Sequence, residues 1–201
     1  MMPFQPNHYH TFGQQRRIIL ASQSPRRQQL LTEAGLLYEV ITHDTDESYP
    51  PHLPVAQIAE HIALQKALAV KNALKSASDV IIGADTIVEI NGQILGKPAN
   101  ETQAHHFLHL LSGKQHRVVT GICLLSLNRC HTFHVSTIVH FCHLTNQQIE
   151  YYVQTCKPYD KAGGYAIQEW IGLTGIEKID GCYFNVMGLP VSRLLLEMSN
   201  F

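Results

Sequence analysis

Residues 20–31, LASQSPRRQQLL, join the end of a short apolar run to the beginning of a helix. Ser24 is a good helix N-cap, and Pro25 fits the first helical position because its φ angle suits a helix and no N–H is needed there. Arg26 and Arg27 therefore stand where a strand is predicted to lead into a helix. The segment alone leaves two interpretations of the pair: charge on an exposed helix, or a site shaped for an anion.

Strand and helix patterns alternate on either side of this junction, which favours an α/β fold. Asn91-Gly92 is a strong hairpin signal, and the last two strand patterns should pair antiparallel, so we expect a mixed central sheet flanked by helices. The predicted strands cover residues 17–21, 38–42, 79–90, 115–127 and 130–142. The predicted helices cover residues 25–34, 54–75, 100–111, 145–155 and 190–198.

The composition is that of a globular chain without a charge bias. Of 201 residues, 45% are apolar and 15% are charged, and 15 Lys and Arg face 16 Asp and Glu. That balance gives no electrostatic reason to expect binding to nucleic acid or to a membrane. Residues 1–15 are polar and aromatic, so we predict a loose extension there and one domain with two lobes and a cleft over residues 16–201.

The cysteines indicate neither a disulfide framework nor a metal site. They stand at positions 123, 130, 142, 156 and 182, an odd count with no CxxC spacing. The N-terminal residues also lack the apolar core of a signal peptide. We therefore expect reduced thiols and a cytoplasmic protein.

Lys66 falls in the middle of the apolar face of the predicted 54–75 helix. An unpaired charge buried there would cost on the order of several kcal/mol, which is comparable to the whole stability of a domain. The side chain must therefore reach water, form an ion pair or serve a site. If Lys66 serves a site, a carboxylate or a phosphate should lie beside its ammonium group.

Asp85 interrupts the apolar stretch VIIGADTIV, residues 80–88, which otherwise has the pattern of a central strand. Asp is a poor strand former, and Gly83 leaves room for another group to approach. One interpretation is a carboxylate satisfied by backbone N–H groups at a strand end. The other is a general base or metal ligand at the mouth of the sheet, in which case Thr86 should point to the opposite side of the strand.

Two loops have both an ordinary and a functional interpretation. Asp44, Asp46 and Glu47 form an acidic loop that is either solvated or supplies an oxygen ligand to a hard divalent cation. Lys97, in the loop after the predicted hairpin, is either exposed to solvent or in contact with a phosphate.

Residues 157–168, KPYDKAGGYAIQ, are either an ordinary glycine-rich turn or a segment that brings its backbone close to a ligand. In the second case the amide of Gln168 could recognise the edge of a nucleobase or a sugar. His105 and His109 have the i, i+4 spacing of some metal ligands. Because His106 beside them indicates a histidine-rich surface, we expect no metal site there.

Together these segments resemble the Maf family of nucleoside triphosphate pyrophosphatases. The matching blocks follow the family's order over nearly the whole chain after residue 16. They are LASQSPRRQQLL at 20–31, Asp46-Glu47, QKALAV at 65–70, GADTIV at 83–88, LGKP at 95–98, LSGKQHRVVTG at 111–121, YDKAGGYAIQ at 159–168 and IDGCYFNVMGLP at 179–190. So many blocks in one order identify the chain as a member of that family.

The resemblance implies a fold and a reaction. The fold is α/β, with a mixed central sheet flanked by helices and two lobes that enclose a nucleotide-binding cleft, of the Maf/ITPase-like kind. The reaction is hydrolysis of a nucleoside triphosphate between its α and β phosphates, assisted by a divalent cation, Mg²⁺ or Mn²⁺. The implied role is removal of unwanted or modified nucleotides. An association with septum formation and a homodimer are also implied.

In the branch of the family that acts on dTTP and UTP, base specificity is tied to three positions. They are the first Arg of SPRR, the Thr after the catalytic Asp and the Gln of YxIQ, which correspond here to Arg26, Thr86 and Gln168. Asp85 corresponds to the family's proton acceptor. The resemblance therefore implies that dTTP and UTP, together with modified pyrimidine nucleotides, are the substrates.

The chain departs from the family beside one of these positions. Where the family often has Gly-Ile-Gln-Gly, this chain has Ala166-Ile167-Gln168-Glu169, followed by Trp170. The additional carboxylate and the indole could reshape the base pocket, which affects the expected base preference and not the class of reaction.

Phosphoryl chemistry needs positioning and charge neutralisation more than covalent help. We predict that Asp85 takes a proton from the attacking water and that Lys66, Lys97 and Arg27 act with it. Glu47 is the predicted metal ligand. The predicted substrate-binding and specificity residues are Ser22, Ser24, Arg26, Thr86, Asp160, Lys161 and Gln168. The alternative hypothesis is a catalytically weak, nucleotide-binding regulator of cell division and septum formation.

Overall fold

The computed structural model describes residues 16–50 and 52–201, and within them the strands form one mixed sheet. The sheet order is β2-β1-β3-β5-β6-β7, with β4 paired to β3. The strands are β1 (Ile18–Ala21), β2 (Glu39–Val40), β3 (Val80–Ile90), β4 (Gln93–Leu95), β5 (Gln115–Leu125), β6 (Cys130–Phe141) and β7 (Ile176–Asp180). The predicted α/β fold with a mixed sheet is confirmed. The predicted extension over residues 1–15 lies outside the described residues.

Helices flank this sheet. They are α1 (Pro25–Glu33), α2 (Val55–Ala69), α3 (Glu101–Leu111), α4 (Asn146–Cys156), α5 (Trp170–Thr174), α6 (Tyr183–Met187) and α7 (Val191–Asn200). The helix predicted for residues 54–75 is wrong at its end, because α2 stops at Ala69. A short 3-10 turn over Lys71–Ala73 follows, and it lets Val70 and Leu74 join the core under α2. None of the helices in the described ranges combines the length and hydropathy needed to cross a membrane.

Both faces of the sheet are buried, because alternate residues of each strand point to opposite sides. On one face, Ile19 and Ile81 belong to the same apolar cluster as Ala67 of α2. On the other face, Leu20 belongs to the same cluster as Leu31 of α1. The sheet is therefore the middle layer of three.

Helix α2 lies unusually close to the sheet because glycines stand beneath it. A Cβ atom at Gly83 of β3 would lie 2.1 Å from the carbonyl oxygen of Ala63. A Cβ atom at Gly121 of β5 would lie 2.2 Å from the carbonyl carbon of Ala59. The group that approaches Gly83 is thus the backbone of α2, and this contact sets the position of the next turn of the helix, which carries Lys66.

One edge of β3 is interrupted in the middle. Strand β5 pairs with β3 along one edge, from Ile81 to Glu89. Along the other edge, β1 pairs as far as Gly83 and β4 begins to pair at Val88. Residues 84–87 therefore lie between β1 and β4, and we call this segment the open edge of β3. Asp85 and Thr86 both belong to it.

Candidate active site

A cleft of about 790 Å³ lies at the open edge of β3. One side is formed by the start of α1 and the loop after β2, and the other by the loop after β4 and residues 160–168. Every residue that sequence analysis predicted for the site lines this cleft. They are Ser22, Ser24, Arg26, Arg27, Glu47, Lys66, Asp85, Thr86, Lys97, Asp160, Lys161 and Gln168. The structure brings these residues together, while the role of each remains a prediction.

Lys66 joins two carboxylates at the centre of the cleft. Its Nζ atom lies 2.7 Å from Oδ1 of Asp85 and 2.8 Å from Oε1 of Glu47. The side chains of Lys66 and Asp85 are 18% and 14% exposed, whereas that of Glu47 is 53% exposed. The carboxylate expected beside Lys66 is therefore present, and the lysine is neither unpaired nor directed into bulk water.

The charges around Glu47 keep its carboxylate ionised. Partial burial alone would raise its pKa, but the hydrogen bond from Lys66 and the charges of Lys66, Lys97 and Arg27 lower the pKa below its ordinary value. An ionised carboxylate next to Asp85 is an oxygen ligand of the kind that Mg²⁺ and Mn²⁺ prefer.

Arg27 is buried in the wall of the cleft, and its guanidinium is held by the protein. Nε donates to the carbonyl oxygen of Gly188 at 2.9 Å, and Nη2 donates to Oγ1 of Thr86 at 3.0 Å. Nη1 donates to Oγ of Ser22 at 3.0 Å and to the carbonyl oxygen of Ala84 at 2.9 Å. These contacts occupy four of the five N–H donors of a guanidinium, so Arg27 links α1, the open edge of β3 and the segment after α6.

Thr86 lies on the opposite side of β3 from Asp85, as the strand period predicts. Asp85 faces Lys66 of α2, whereas Oγ1 of Thr86 lies 3.0 Å from Nη2 of Arg27 and 3.0 Å from Oγ1 of Thr120. Both residues still line the cleft, because the open edge of β3 exposes both of its faces there.

Thr120 and Asn185 support Thr86, and sequence analysis did not single them out. Oγ1 of Thr120 donates to the backbone oxygen of Asn185 at 3.0 Å. The Asn185 amide donates to the backbone oxygen of Val118 at 3.1 Å and to Oγ1 of Thr137 at 3.0 Å. Thr120 and Asn185 are both fully buried. Both lie in sequence blocks that resemble the family, but their contacts span distant parts of the chain, so spacing could not reveal them.

Arg26 connects the two sides of the cleft. Its Nη1 atom lies 3.2 Å from Oδ2 of Asp160, whose Oδ1 lies 2.7 Å from Nζ of Lys161. Lys161 is buried, and its Nζ atom also lies 3.3 Å from Oε1 of Glu169. Partial burial opposes ionisation of Asp160, but the hydrogen bonds from Lys161 and Arg26 lower its pKa below the ordinary value.

The remaining predicted residues offer free surface to the cleft. Lys97 and Gln168 are exposed side chains in its lining. Ser24 is the N-cap of α1 by position, with Pro25 at the first helical position, but its side chain makes no capping hydrogen bond. Its hydroxyl is therefore not committed to the helix.

His105 has neighbours that its spacing did not reveal. Its ligand atom and those of Glu101 on the same helix and Glu150 on α4 lie within 4.8 Å of one another. His109 is not a member of this group, and none of the three residues lines the cleft. Two of them are about half exposed, and Nε2 of His105 lies 3.4 Å from Oε2 of Glu150, which is an ordinary surface ion pair if the imidazole is protonated.

The cleft therefore presents five cationic side chains around ionised carboxylates at the open edge of a sheet. Such an arrangement suits a polyanion that is held with a divalent cation. It defines an anion-binding α/β protein whose candidate base is Asp85.

Sequence comparison relates the chain to proteins named as nucleotide pyrophosphatases. The chain is 48% identical over 183 residues to the dTTP/UTP pyrophosphatase of Phocaeicola vulgatus, covering 90% of this chain and 94% of that protein. It is 45% identical over 186 residues to the dTTP/UTP pyrophosphatase of Parabacteroides distasonis, covering 92% and 96%. Among solved structures, the Ham1 protein of Staphylococcus aureus aligns over 62% of this chain and 71% of its own with a TM-score of 0.43 and 17% identity. The family described as Maf-like protein matches residues 17–201, and this chain belongs to that family.

Proposed function

We propose that the protein is a pyrophosphatase that hydrolyses dTTP and UTP to the nucleoside monophosphate and pyrophosphate. The observation that carries this proposal is the placement of Asp85 at the open edge of β3, 2.7 Å from Lys66 and inside a cleft lined by cations. Relatives with 41–48% identity over most of the chain are named dTTP/UTP pyrophosphatases. The role is the removal of unwanted nucleotides, including modified pyrimidine nucleotides, from the pool.

Asp85 acts as the general base. Its carboxylate accepts the proton of the attacking water. The water attacks one of the two phosphorus atoms of the α–β phosphoanhydride, and the bond between that phosphorus atom and the bridging oxygen breaks. Lys66 holds Oδ1 of Asp85 at 2.7 Å, which leaves the second carboxylate oxygen for the water. Positioned proton transfer of this kind contributes roughly a hundred- to ten-thousandfold to the rate.

The cations hold the triphosphate and balance the charge that develops on the leaving pyrophosphate. Lys66 and Lys97 approach from the side of α2 and β4, and Arg26 approaches from the start of α1. Arg27 holds the wall with most of its donors, so its main effect on phosphate is exerted through its charge and through Ser22 and Thr86. Preorganised charges of this type are the largest contribution to many phosphoryl transfers.

The residues present also fit a divalent cation. Only Oε1 of Glu47 is paired with Lys66, so its carboxylate has a second oxygen to offer, and hard cations such as Mg²⁺ and Mn²⁺ prefer oxygen ligands from carboxylates and phosphates. Glu47 would hold the ion together with the phosphates of the substrate. When bound, the ion supplies charge neutralisation at the phosphoanhydride.

Base selection is assigned to Arg26, Thr86 and Gln168. Gln168 is exposed in the lining and carries both an amide donor and an amide acceptor, as recognition of a pyrimidine edge requires. We place the reaction in the cytoplasm, because the odd number of cysteines and the lack of CxxC spacing predict reduced thiols. The homodimer implied by the family resemblance stays a prediction.

A panel of triphosphates tests this function. The purified chain would be incubated with Mg²⁺ and dTTP, UTP, CTP, dCTP, ATP or GTP, and pyrophosphate and monophosphate would be measured together. We expect pyrophosphate from dTTP and UTP with kcat/KM roughly tenfold or more above that for the other bases. Release of inorganic phosphate together with the nucleoside diphosphate would contradict cleavage between the α and β phosphates. Nucleotide binding without pyrophosphate release would instead favour the regulator of cell division and septum formation.

A further inference from the structure

Gln168 lies in a tight turn whose two ends are held by a single buried side chain. The turn runs from Ala166 to Glu169 and is closed by a hydrogen bond of 3.1 Å from the backbone N–H of Glu169 to the backbone oxygen of Ala166. The hydroxyl of Tyr152 accepts from the backbone N–H of Ala166 at 3.1 Å and donates to Oε2 of Glu169. Tyr152 is 0% exposed, so the turn is anchored to the core of α4 at both ends.

Glu169 itself stands behind the wall of the cleft. Ala166 and Gln168 line the cleft, whereas Glu169 and Trp170 are not part of that lining. The side chain of Glu169 is 26% exposed. Trp170 packs against the ring of Tyr151 at a centroid distance of 4.9 Å. Any effect of these two residues on the base pocket must therefore be exerted through other residues.

Both carboxylate oxygens of Glu169 are engaged, and they serve two different elements. Oε2 accepts from Tyr152, which holds the turn that carries Gln168. Oε1 lies 3.3 Å from Nζ of the buried Lys161. Lys161 in turn holds Asp160 at 2.7 Å, and Asp160 holds Arg26 at 3.2 Å.

We propose that Glu169 is a positioning residue for base selection, because it fixes Gln168 and Arg26 relative to each other from behind the cleft. This inference rests on the proposed function, since it concerns how the same site chooses its nucleotide. Gln168 is fixed through the turn and Tyr152, and Arg26 is fixed through Lys161 and Asp160. A glycine at position 169 could form neither link.

The test measures discrimination between bases separately from turnover. Affinities for the α,β-methylene analogues of UTP and CTP, which resist cleavage between the α and β phosphates, would be measured by calorimetry for the unaltered chain. The same measurements would be made for Glu169→Gly, Glu169→Gln, Tyr152→Phe and the control Trp170→Leu, whose side chain lies next to Glu169 but outside the network. KM and kcat for dTTP hydrolysis would be measured in parallel.

We expect the ratio of UTP-analogue to CTP-analogue affinity to fall about tenfold in Glu169→Gly, as loss of one or two side-chain hydrogen bonds would produce. KM for dTTP should rise more than kcat falls, because Asp85 and Lys66 are untouched. Glu169→Gln should retain more of the ratio, since its amide oxygen still accepts from Tyr152. In the double variant Tyr152→Phe/Glu169→Gly, the loss in the affinity ratio should be smaller than the sum of the two single losses, expressed as free energies. Trp170→Leu should leave the ratio unchanged.

An unchanged affinity ratio in a folded Glu169→Gly chain would overturn the inference, as would an equal fall in Trp170→Leu. If Glu169→Gly does not fold, unchanged ratios in both Glu169→Gln and Tyr152→Phe would have the same consequence. Failure of the proposed function would give a different result, because the unaltered chain would then release no pyrophosphate from dTTP. The affinity ratios are measured without hydrolysis, so they decide the role of Glu169 in either event.

Discussion

Nζ of Lys66 and Oδ1 of Asp85 are 2.7 Å apart, although one residue belongs to a helix and the other to a strand. Each is out of place on its own element: Lys66 lies on an apolar helix face, and Asp85 interrupts an apolar strand. Burying an ion pair costs more free energy than burying two apolar side chains of the same shape. The Lys66–Asp85 pair is therefore weak evidence for a gain in stability. The proposed catalytic role would therefore explain the pair better than a gain in stability.

Replacement of Asp85 by Asn should lower kcat for dTTP by roughly a hundred- to ten-thousandfold. Asn keeps the shape of the side chain but cannot accept a proton from water, so nucleotide affinity should change much less than turnover. Pyrophosphate release and calorimetric binding of dTTP, measured on the same preparation, check this. Turnover near that of the unaltered chain would remove Asp85 from the role of base.

Lys66 should contribute more to turnover than to stability. In Lys66→Met the stem keeps its packing, but Glu47 and Asp85 lose their shared cation, so we expect weaker triphosphate binding, lower kcat, or both, in a chain that remains folded. Urea unfolding and steady-state kinetics measure the two effects. Higher stability together with unchanged activity would show that Lys66 is only an awkwardly placed packing residue.

The two neighbouring arginines should respond differently to removal. Arg27→Ala leaves the buried carbonyl groups of Ala84 and Gly188 without their donors, so the free energy of unfolding should fall by about 3 kcal/mol. Arg27→Ala should also lower the rate on every nucleotide, because Ser22 and Thr86 lose their common anchor. Arg26 is held only at the rim by Asp160, so Arg26→Ala should cost less than about 1 kcal/mol and should change the preference between bases more. The reverse pattern in urea unfolding and in the nucleotide panel would contradict this division.

Features that depend on adjacent residues could be predicted from the sequence. Asn91 and Gly92 have φ angles of 52° and 79°, as a hairpin turn of this type requires. Thr145 and Gln148, three residues apart, form a capping box at the start of α4, and Asn100 caps α3. In each case the signal and the structure lie within four residues of one another, so no knowledge of the tertiary fold is needed.

The contacts that define the site could not be predicted in the same way. Arg27 binds Gly188 and Tyr152 binds Glu169, and nothing in the local sequence indicates which distant group either side chain meets. The two interpretations of the arginine pair rested on residue type and local position alone, whereas the four hydrogen bonds of Arg27 within the protein depend on where the tertiary fold places β1, β3 and the end of α6. Residue types therefore indicated which residues line the cleft, but not which contacts each of them makes there.

The glycine beneath α2 should be essential to the geometry of the cleft. In Gly121→Ala the new Cβ would overlap the backbone of Ala59, so α2 must move away from β5. We expect a loss of about 1–3 kcal/mol in the free energy of unfolding and a lower kcat/KM, because the displaced helix carries Lys66. Gly96→Ala is the control for stability, since an added Cβ there meets nothing within 4 Å. Equal stabilities of the two variants would show that the contact with α2 is not tight.

His116 should make the stability of the fold sensitive to mild acid. It is 3% exposed, and its Nε2 lies 2.7 Å from the hydroxyl of Tyr165, which lines the cleft. Its Nδ1 has no hydrogen-bond partner among the described residues. Burial, with a smaller contribution from the charge of His140, lowers the pKa of His116 from 6.5 to about 3.

Below pH 6.5 the unfolded chain therefore binds a proton at His116 that the folded chain does not, and the free energy of unfolding falls as the pH falls towards 3. At about pH 5 the loss from this residue alone is roughly 2 kcal/mol relative to neutral pH. In His116→Phe the ring cannot titrate. The loss of the hydrogen bond to Tyr165 lowers the free energy of unfolding by the same amount at every pH. It does not change how steeply that free energy falls with pH, so a shallower dependence on pH in this variant reports the loss of the titrating ring. Urea unfolding of both chains at about pH 7.5 and about pH 5 measures how much the free energy of unfolding of each chain falls between the two pH values. An equal fall in the two chains would show that His116 is protonated in the folded protein as readily as in the unfolded one.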